Sequence, residues 1–216
     1  MKKIAVILSG CGVFDGSEIH EATLALLNIR KAGASYQCAA LDENQFRVSD
    51  HKTKTETAEK RNMLTESARI ARGNIVKISQ INPAGYDAVI FPGGSGATLN
   101  FSSFGKDGAN AKVNPEIEKL VNAFYDAKKP IGAICIAPVI IARTLASKKV
   151  KVSVGNDAQI ASAINSWGAE HVNCSASEIC FDTANRVVTT PAYMLTDDIS
   201  EVNAGIEKLV NKILSI

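Results

Sequence analysis

The sequence predicts an α/β fold, a mostly parallel sheet with helices on both faces and a small antiparallel hairpin. Two observations carry this. Apolar runs of strand length alternate with amphipathic stretches from one end of the chain to the other. Three of the apolar runs also end on glycine-rich or reactive residues, as strands do where an open parallel sheet places its ligands.

Lys3–Leu8 reads as a buried strand, closed by the turn Gly10-Cys11-Gly12. Helical spacing follows over Ser17–Ala32, with Ile19, Ala22, Leu26 and Ile29 on one stripe and Gly33 as the stop. Tyr36–Leu41 is a second strand and Arg47–His51 a third, before a polar loop or hairpin over His51–Arg61. Asn62 is placed to cap a short helix through Arg72. Tyr86–Phe91 is a strand that stops at Pro92-Gly93-Gly94. The excursion from Ser95 to Asn114 is long enough to be a lid, a dimer contact or a solvent-exposed loop. Asn114-Pro115-Glu116 starts a helix that runs to about Lys128. Ile131–Ile134 is a strand followed by a helix over Ile136–Ala146. Val150–Val154 is a further strand, and Ala158–Ser166 a helix closed by Gly168. Ile179–Asp182 and Arg186–Thr189 read as the hairpin, and Ile199–Leu214 as a last amphipathic helix. No repeat or linker interrupts the 216 residues, so one domain over residues 1–216 is expected.

Composition narrows the function classes. With 24 Lys and Arg against 22 Asp and Glu, and only short basic pairs such as Lys128-Lys129, there is no basic stripe for nucleic acid. The opening Ile4–Leu8 run is too short for a signal peptide or a membrane span. A soluble protein of the cytoplasm is the expectation, with no membrane partner. The five cysteines (Cys11, Cys38, Cys135, Cys174, Cys180) form no CxxC pair, which points to neither a disulfide framework nor a metal site.

Cys135 stands apart. In Gly132-Ala133-Ile134-Cys135-Ile136-Ala137-Pro138, small residues surround a thiol where a strand becomes a helix, and Pro138 suits the first helical turn. Two readings fit: a core cysteine after a buried strand, or a nucleophile elbow that presents sulfur near a helix N-terminus. On the second reading, Gly93-Gly94 and the Ile136 N–H could form an oxyanion hole, against the plainer reading of an ordinary turn. Glu18, at the start of the first helix, is the candidate partner of Cys135; alternatively it only complements the helix dipole. The three histidines, His20, His51 and His171, lie at no position that suggests a Cys–His pair, which argues against protease or amidase chemistry.

The segments Gly10–Glu21, Pro92-Gly93-Gly94, Cys135-Ile136-Ala137-Pro138 and Thr189–Leu195 resemble the ElbB family, isoprenoid biosynthesis proteins with an amidotransferase-like domain. The similarity runs in the same order along the whole chain. This family lies in the PfpI-like branch of the class I glutamine amidotransferase superfamily. The resemblance implies a flavodoxin-like three-layer sandwich, Cys135 hydrogen-bonded to Glu18, and oxyanion-hole amides from Gly94 and Ile136. Gly93, Cys11 and Tyr193 become candidates for the substrate pocket. It also implies a homodimer, and glutathione-independent glyoxalase activity on small α-oxoaldehydes through a Cys135 hemithioacetal. Glu18 would then serve as base, no metal or organic cofactor would be needed, and turnover would be slow for want of an imidazole. The alternative is a regulatory protein that senses oxidants or carbonyls with the same thiol.

Overall fold

The computed structural model describes residues 1–216. Its central sheet has seven strands in the order β10-β11-β7-β6-β1-β2-β5. These are β1 (Lys3–Ile7), β2 (Ser35–Ala40), β5 (Ile75–Lys77), β6 (Ala88–Phe91), β7 (Ile131–Ile134), β10 (Cys180–Asp182) and β11 (Val187–Thr190). Every neighbouring pair is parallel except the β10–β11 hairpin.

Alternation along the strands divides the core in two. From β1 and the residue that follows it, Ile4, Val6 and Leu8 face α1 (Ile19–Lys31) and α8 (Ile199–Ser215), while Ala5 and Ile7 face the opposite layer. That opposite layer is α5 (Pro115–Asp126), α6 (Pro138–Thr144) and α7 (Ala158–Ser166), which contribute Ile117, Phe124, Ile140 and Ile164. Gly132 lies close under α8, where an added Cβ would press on the movable end of Ile213. The result is the flavodoxin-like three-layer arrangement.

Several helix boundaries follow the chemistry read from the sequence. Asn62 caps α2 (Met63–Ile70) through Thr65 N–H at 3.0 Å, and Asn114 caps α5 through Glu116 N–H at 2.9 Å. Other expectations need correction. The strand at Arg47–His51 is only β3 (Val48–Asp50), and it pairs with β4 (Thr55–Thr57) in a separate hairpin instead of joining the main sheet. The strand expected at Val150–Val154 is β8 (Lys151–Val152), paired in parallel with β9 (Glu170–His171). The Ser95–Asn114 excursion is structured, with α3 (Ser95–Leu99) and α4 (Phe104–Asp107). Phe101 is buried edge-on to Phe91, Trp167 Nε1 donates to Ala109 O at 2.7 Å, and Arg143 Nε donates to Ala111 O at 2.9 Å. A segment fastened at three places is a poor lid.

Both sheet edges are short. β5 is three residues long, and its Lys77 pairs with Asp42 at 2.7 Å. At the other edge, Lys151 N–H donates to Asp182 at 2.8 Å, which lays the β8–β9 pair against β10.

Candidate active site

Sulfur is displayed by backbone strain. β7 is buried throughout, and the chain leaves it through Cys135 at φ 63°, a left-handed conformation that L-residues rarely adopt. Cys135 N–H still extends the ladder, donating to Thr190 O at 2.8 Å. The side chain is therefore turned out of the strand while the backbone stays tied to β11. Ile136 and Ala137 complete the turn before α6 begins at Pro138, and Cys135 is left 7% exposed. This is the elbow geometry.

The carboxylate against the thiol is Glu21, which corrects the expectation of Glu18. Glu18 is the N-cap of α1, and its Oε2 accepts Glu21 N–H at 2.7 Å. A side chain folded back onto its own helix end satisfies an orphan amide there and does not bond the thiol. Glu21, three residues on, is completely buried, and its carboxyl lies against Cys135 across Gly93. Its Oε2 accepts Gly93 N–H at 3.0 Å, and the Tyr193 amide also faces the carboxylate. Oε1 has no partner of full hydrogen-bond geometry. Gly93 ties both glutamates to β6, because its carbonyl accepts Glu18 N–H at 2.9 Å. Only glycine fits there, since a Cβ would strike Cys135 Cβ and Glu21 Oε2.

Electrostatics follow from this burial. Desolvation first, and then the Glu18 charge, pushes the Glu21 carboxyl from an ordinary 4.5 up to about 8. Burial, then Glu21, pushes the Cys135 thiol up, while the Gly94 and Ile136 amides facing its sulfur oppose that. The two groups are one coupled system that resists holding two negative charges. With Glu21 protonated, its proton and the two amides all face sulfur. Cys38 makes the contrast: burial alone raises it to about 12 with no donor to offset it.

The remaining sequence candidates divide. Gly93, Gly94 and Ile136 surround the sulfur, and Tyr193 borders Glu21. Cys11 does not join them. It is half-buried among Glu66, Arg69, Asp15 and Arg61, and burial raises its thiol. His51 accepts Phe14 N–H at 3.3 Å, and His171 accepts Val154 N–H at 3.4 Å. His20 is exposed, with Nδ1 2.8 Å from the Tyr193 hydroxyl. A cleft of about 550 Å³ lies between Asn156, Cys174 and Glu201, and Cys135 does not line it.

A strained cysteine on a strand end, held against a buried first-helix glutamate, agrees with a match of residues 2–196 to the DJ-1/PfpI family. The chain belongs to the DJ-1/PfpI family. Among its relatives, the rat ES1 protein homolog, mitochondrial, is 44% identical over 99% of this chain and 84% of its own length. Human glutamine amidotransferase-like class 1 domain-containing protein 3, mitochondrial, is 44% identical over 99% and 83%. The crystal structure of an isoprenoid biosynthesis protein with amidotransferase-like domain from Ehrlichia chaffeensis superposes with a TM-score of 0.92. It is 40% identical and covers 99% of both chains. A DJ-1 superfamily protein from Agrobacterium tumefaciens, at 18% identity and a TM-score of 0.58, shares the fold. The expectation of a cytoplasmic protein is overturned by the relatives, because those at 36–44% identity are named mitochondrial. That expectation rested on the short apolar run at Ile4–Leu8, which is β1.

Proposed function

We propose that this DJ-1/PfpI protein is an ElbB-type member that converts small α-oxoaldehydes, glyoxal in the first place, to the hydroxy acid without glutathione. One observation carries the reading: the fully buried Glu21, raised to about 8, lies against a strained thiol with one carboxyl oxygen unpartnered. A group of that acidity moves protons in both directions near neutral pH.

Sulfur adds to C1 of glyoxal, forming the S–C1 bond, while the thiol proton passes through Glu21 to the C1 oxygen. The reacting form of the pair has its one proton on sulfur and Glu21 as a carboxylate, so once that proton has been relayed to the C1 oxygen Glu21 is again a carboxylate beside the hemithioacetal. It takes the C1 proton and returns it to C2, giving a glycolyl thioester. Water then adds to the carbonyl, the S–C bond breaks, sulfur regains its proton and glycolate leaves. The Gly94 and Ile136 amides serve the C1 oxygen whenever it carries charge.

The test is glycolate formed from glyoxal in the absence of glutathione, by wild type beside Cys135→Ala, Glu21→Gln and Glu18→Gln. The first two variants should fall to background, and Glu18→Gln should keep most of the rate. A wild type no faster than Cys135→Ala would sink the reading.

A second reading draws on the scant exposure of Cys135. A thiol reached only by small molecules suits a sensor of peroxide, for which Glu21 and the two amides would stabilise a sulfinate. Mass spectrometry after mild peroxide should then find the sulfinate at Cys135 alone, and oxidation spread evenly over the five cysteines would exclude this.

A further inference from the structure

We propose that the Tyr193 hydroxyl is a second catalytic donor, meeting the C2 oxygen of the bound α-oxoaldehyde, and that His20 positions it from behind. This rests on the glyoxalase reading and supplies what that chemistry still requires. In passing from hemithioacetal to thioester, the carbon-bound proton moves from C1 to C2, and a second proton leaves the C1 hydroxyl while the C2 oxygen gains one. Glu21 accounts for the first transfer. It cannot also protonate the C2 oxygen while it holds the proton bound for C2, so the oxygen-to-oxygen transfer needs its own relay.

Beside Glu21 one side chain, Tyr193, carries a hydroxyl suited to that relay. The chain leaves β11 through Pro191 and then Ala192, which is fully buried at φ 46°. This second left-handed residue turns the Tyr193 amide toward the Glu21 carboxylate. The phenol is half-buried within electrostatic reach of both Glu18 and Glu21, whose charges add to burial in holding it protonated and so a donor. Behind it His20 Nδ1 lies 2.8 Å from the hydroxyl, with the two rings 5.8 Å apart. His20 immediately precedes Glu21 on α1, so one helical turn fixes the carboxylate and the imidazole together. The imidazole that the sequence lacks beside Cys135 therefore reaches the site through a tyrosine. With Nδ1 as donor, His20 stabilises the phenolate formed when Tyr193 protonates the C2 oxygen. The C1 hydroxyl proton then restores the phenol, and the balance closes with no outside reagent.

The experiment measures kcat and KM for glyoxal, and the rate of Cys135 alkylation by iodoacetamide, in wild type, Tyr193→Phe, His20→Ala and His20→Asn. Tyr193→Phe should lose about 100-fold in kcat, with the alkylation rate within about twofold because the elbow is untouched. His20→Ala should lose about 10-fold in kcat at unchanged KM, and His20→Asn should regain most of it, since its amide donates from the place of Nδ1. A Tyr193→Phe enzyme with wild-type kcat overturns the inference and leaves the glyoxalase reading standing. A Tyr193→Phe protein that loses alkylation and turnover together assigns Tyr193 a structural part and also overturns it. Should Tyr193→Phe fail to fold, the exposed His20 decides: wild-type kcat in His20→Ala refutes the relay. A wild type that alkylates normally but makes no glycolate removes the underlying reading, and this inference with it.

Discussion

Two neighbouring strands, β7 and β11, end in the same unusual way and for different purposes. Each hands the chain on through a left-handed residue that is not glycine, Cys135 at φ 63° and Ala192 at φ 46°. At Cys135 the strain displays a side chain. At Ala192 there is only a methyl, and the strain aims a backbone amide at Glu21. Left-handed backbone at a non-glycine residue costs on the order of 1–3 kcal/mol and persists where its surroundings over-determine it. Two such residues on adjacent strand ends, facing one carboxylate, show that the built object is the environment of Glu21 as much as the nucleophile.

The largest test of that view is pH-dependent stability. Glu21 is raised from 4.5 to about 8 in the folded protein. Between those values the folded state holds a proton that the unfolded state has released, so stability falls as pH rises through this window. Denaturation midpoints of wild type and Glu21→Gln should therefore diverge from pH 5 to pH 8, the variant gaining roughly 1 kcal/mol per pH unit. Parallel curves would mean that Glu21 is ionised throughout. Next in size, Ala192→Val asks a β-branched residue to hold a left-handed conformation in a site with no free volume. It should cost about 2–3 kcal/mol in thermal unfolding and lower turnover as well. Glu18→Ala removes an N-cap and should cost about 1 kcal/mol, with glyoxal turnover falling far less than in Glu21→Gln. The smallest effect belongs to Ala192→Gly, where relief of strain and loss of a buried methyl oppose each other. Its stability should stay within about 1 kcal/mol of wild type, and a larger gain would show that the strain at β11 is held at the expense of the fold.

The same contrast explains what could be read beforehand. The elbow was legible because small residues, a cysteine and Pro138 occur together in seven residues of sequence. The layers were legible because buried parallel strands read as apolar runs, and so did β1, β6 and β7. Resemblance and nearness to the turn point to Glu18, whereas the deciding signal lies in helical period. Glu21 falls on the stripe of Ala22, Ala25, Leu26 and Ile29, a charge on the buried face of α1. Tyr193 was already a pocket candidate, but no local pattern connects it with His20, since their hydrogen bond spans 173 positions. β5 was missed because three residues, two of them half-buried, leave no periodicity to find.

The short edges of the sheet have a consequence for how copies of this protein can meet. An exposed strand edge is an open template for another chain, and long flat edges invite polymerisation. Here β5 offers three residues with a paired lysine at its end, and β10 is flanked by the β8–β9 ribbon. Strand addition is blunted at both margins of the sheet.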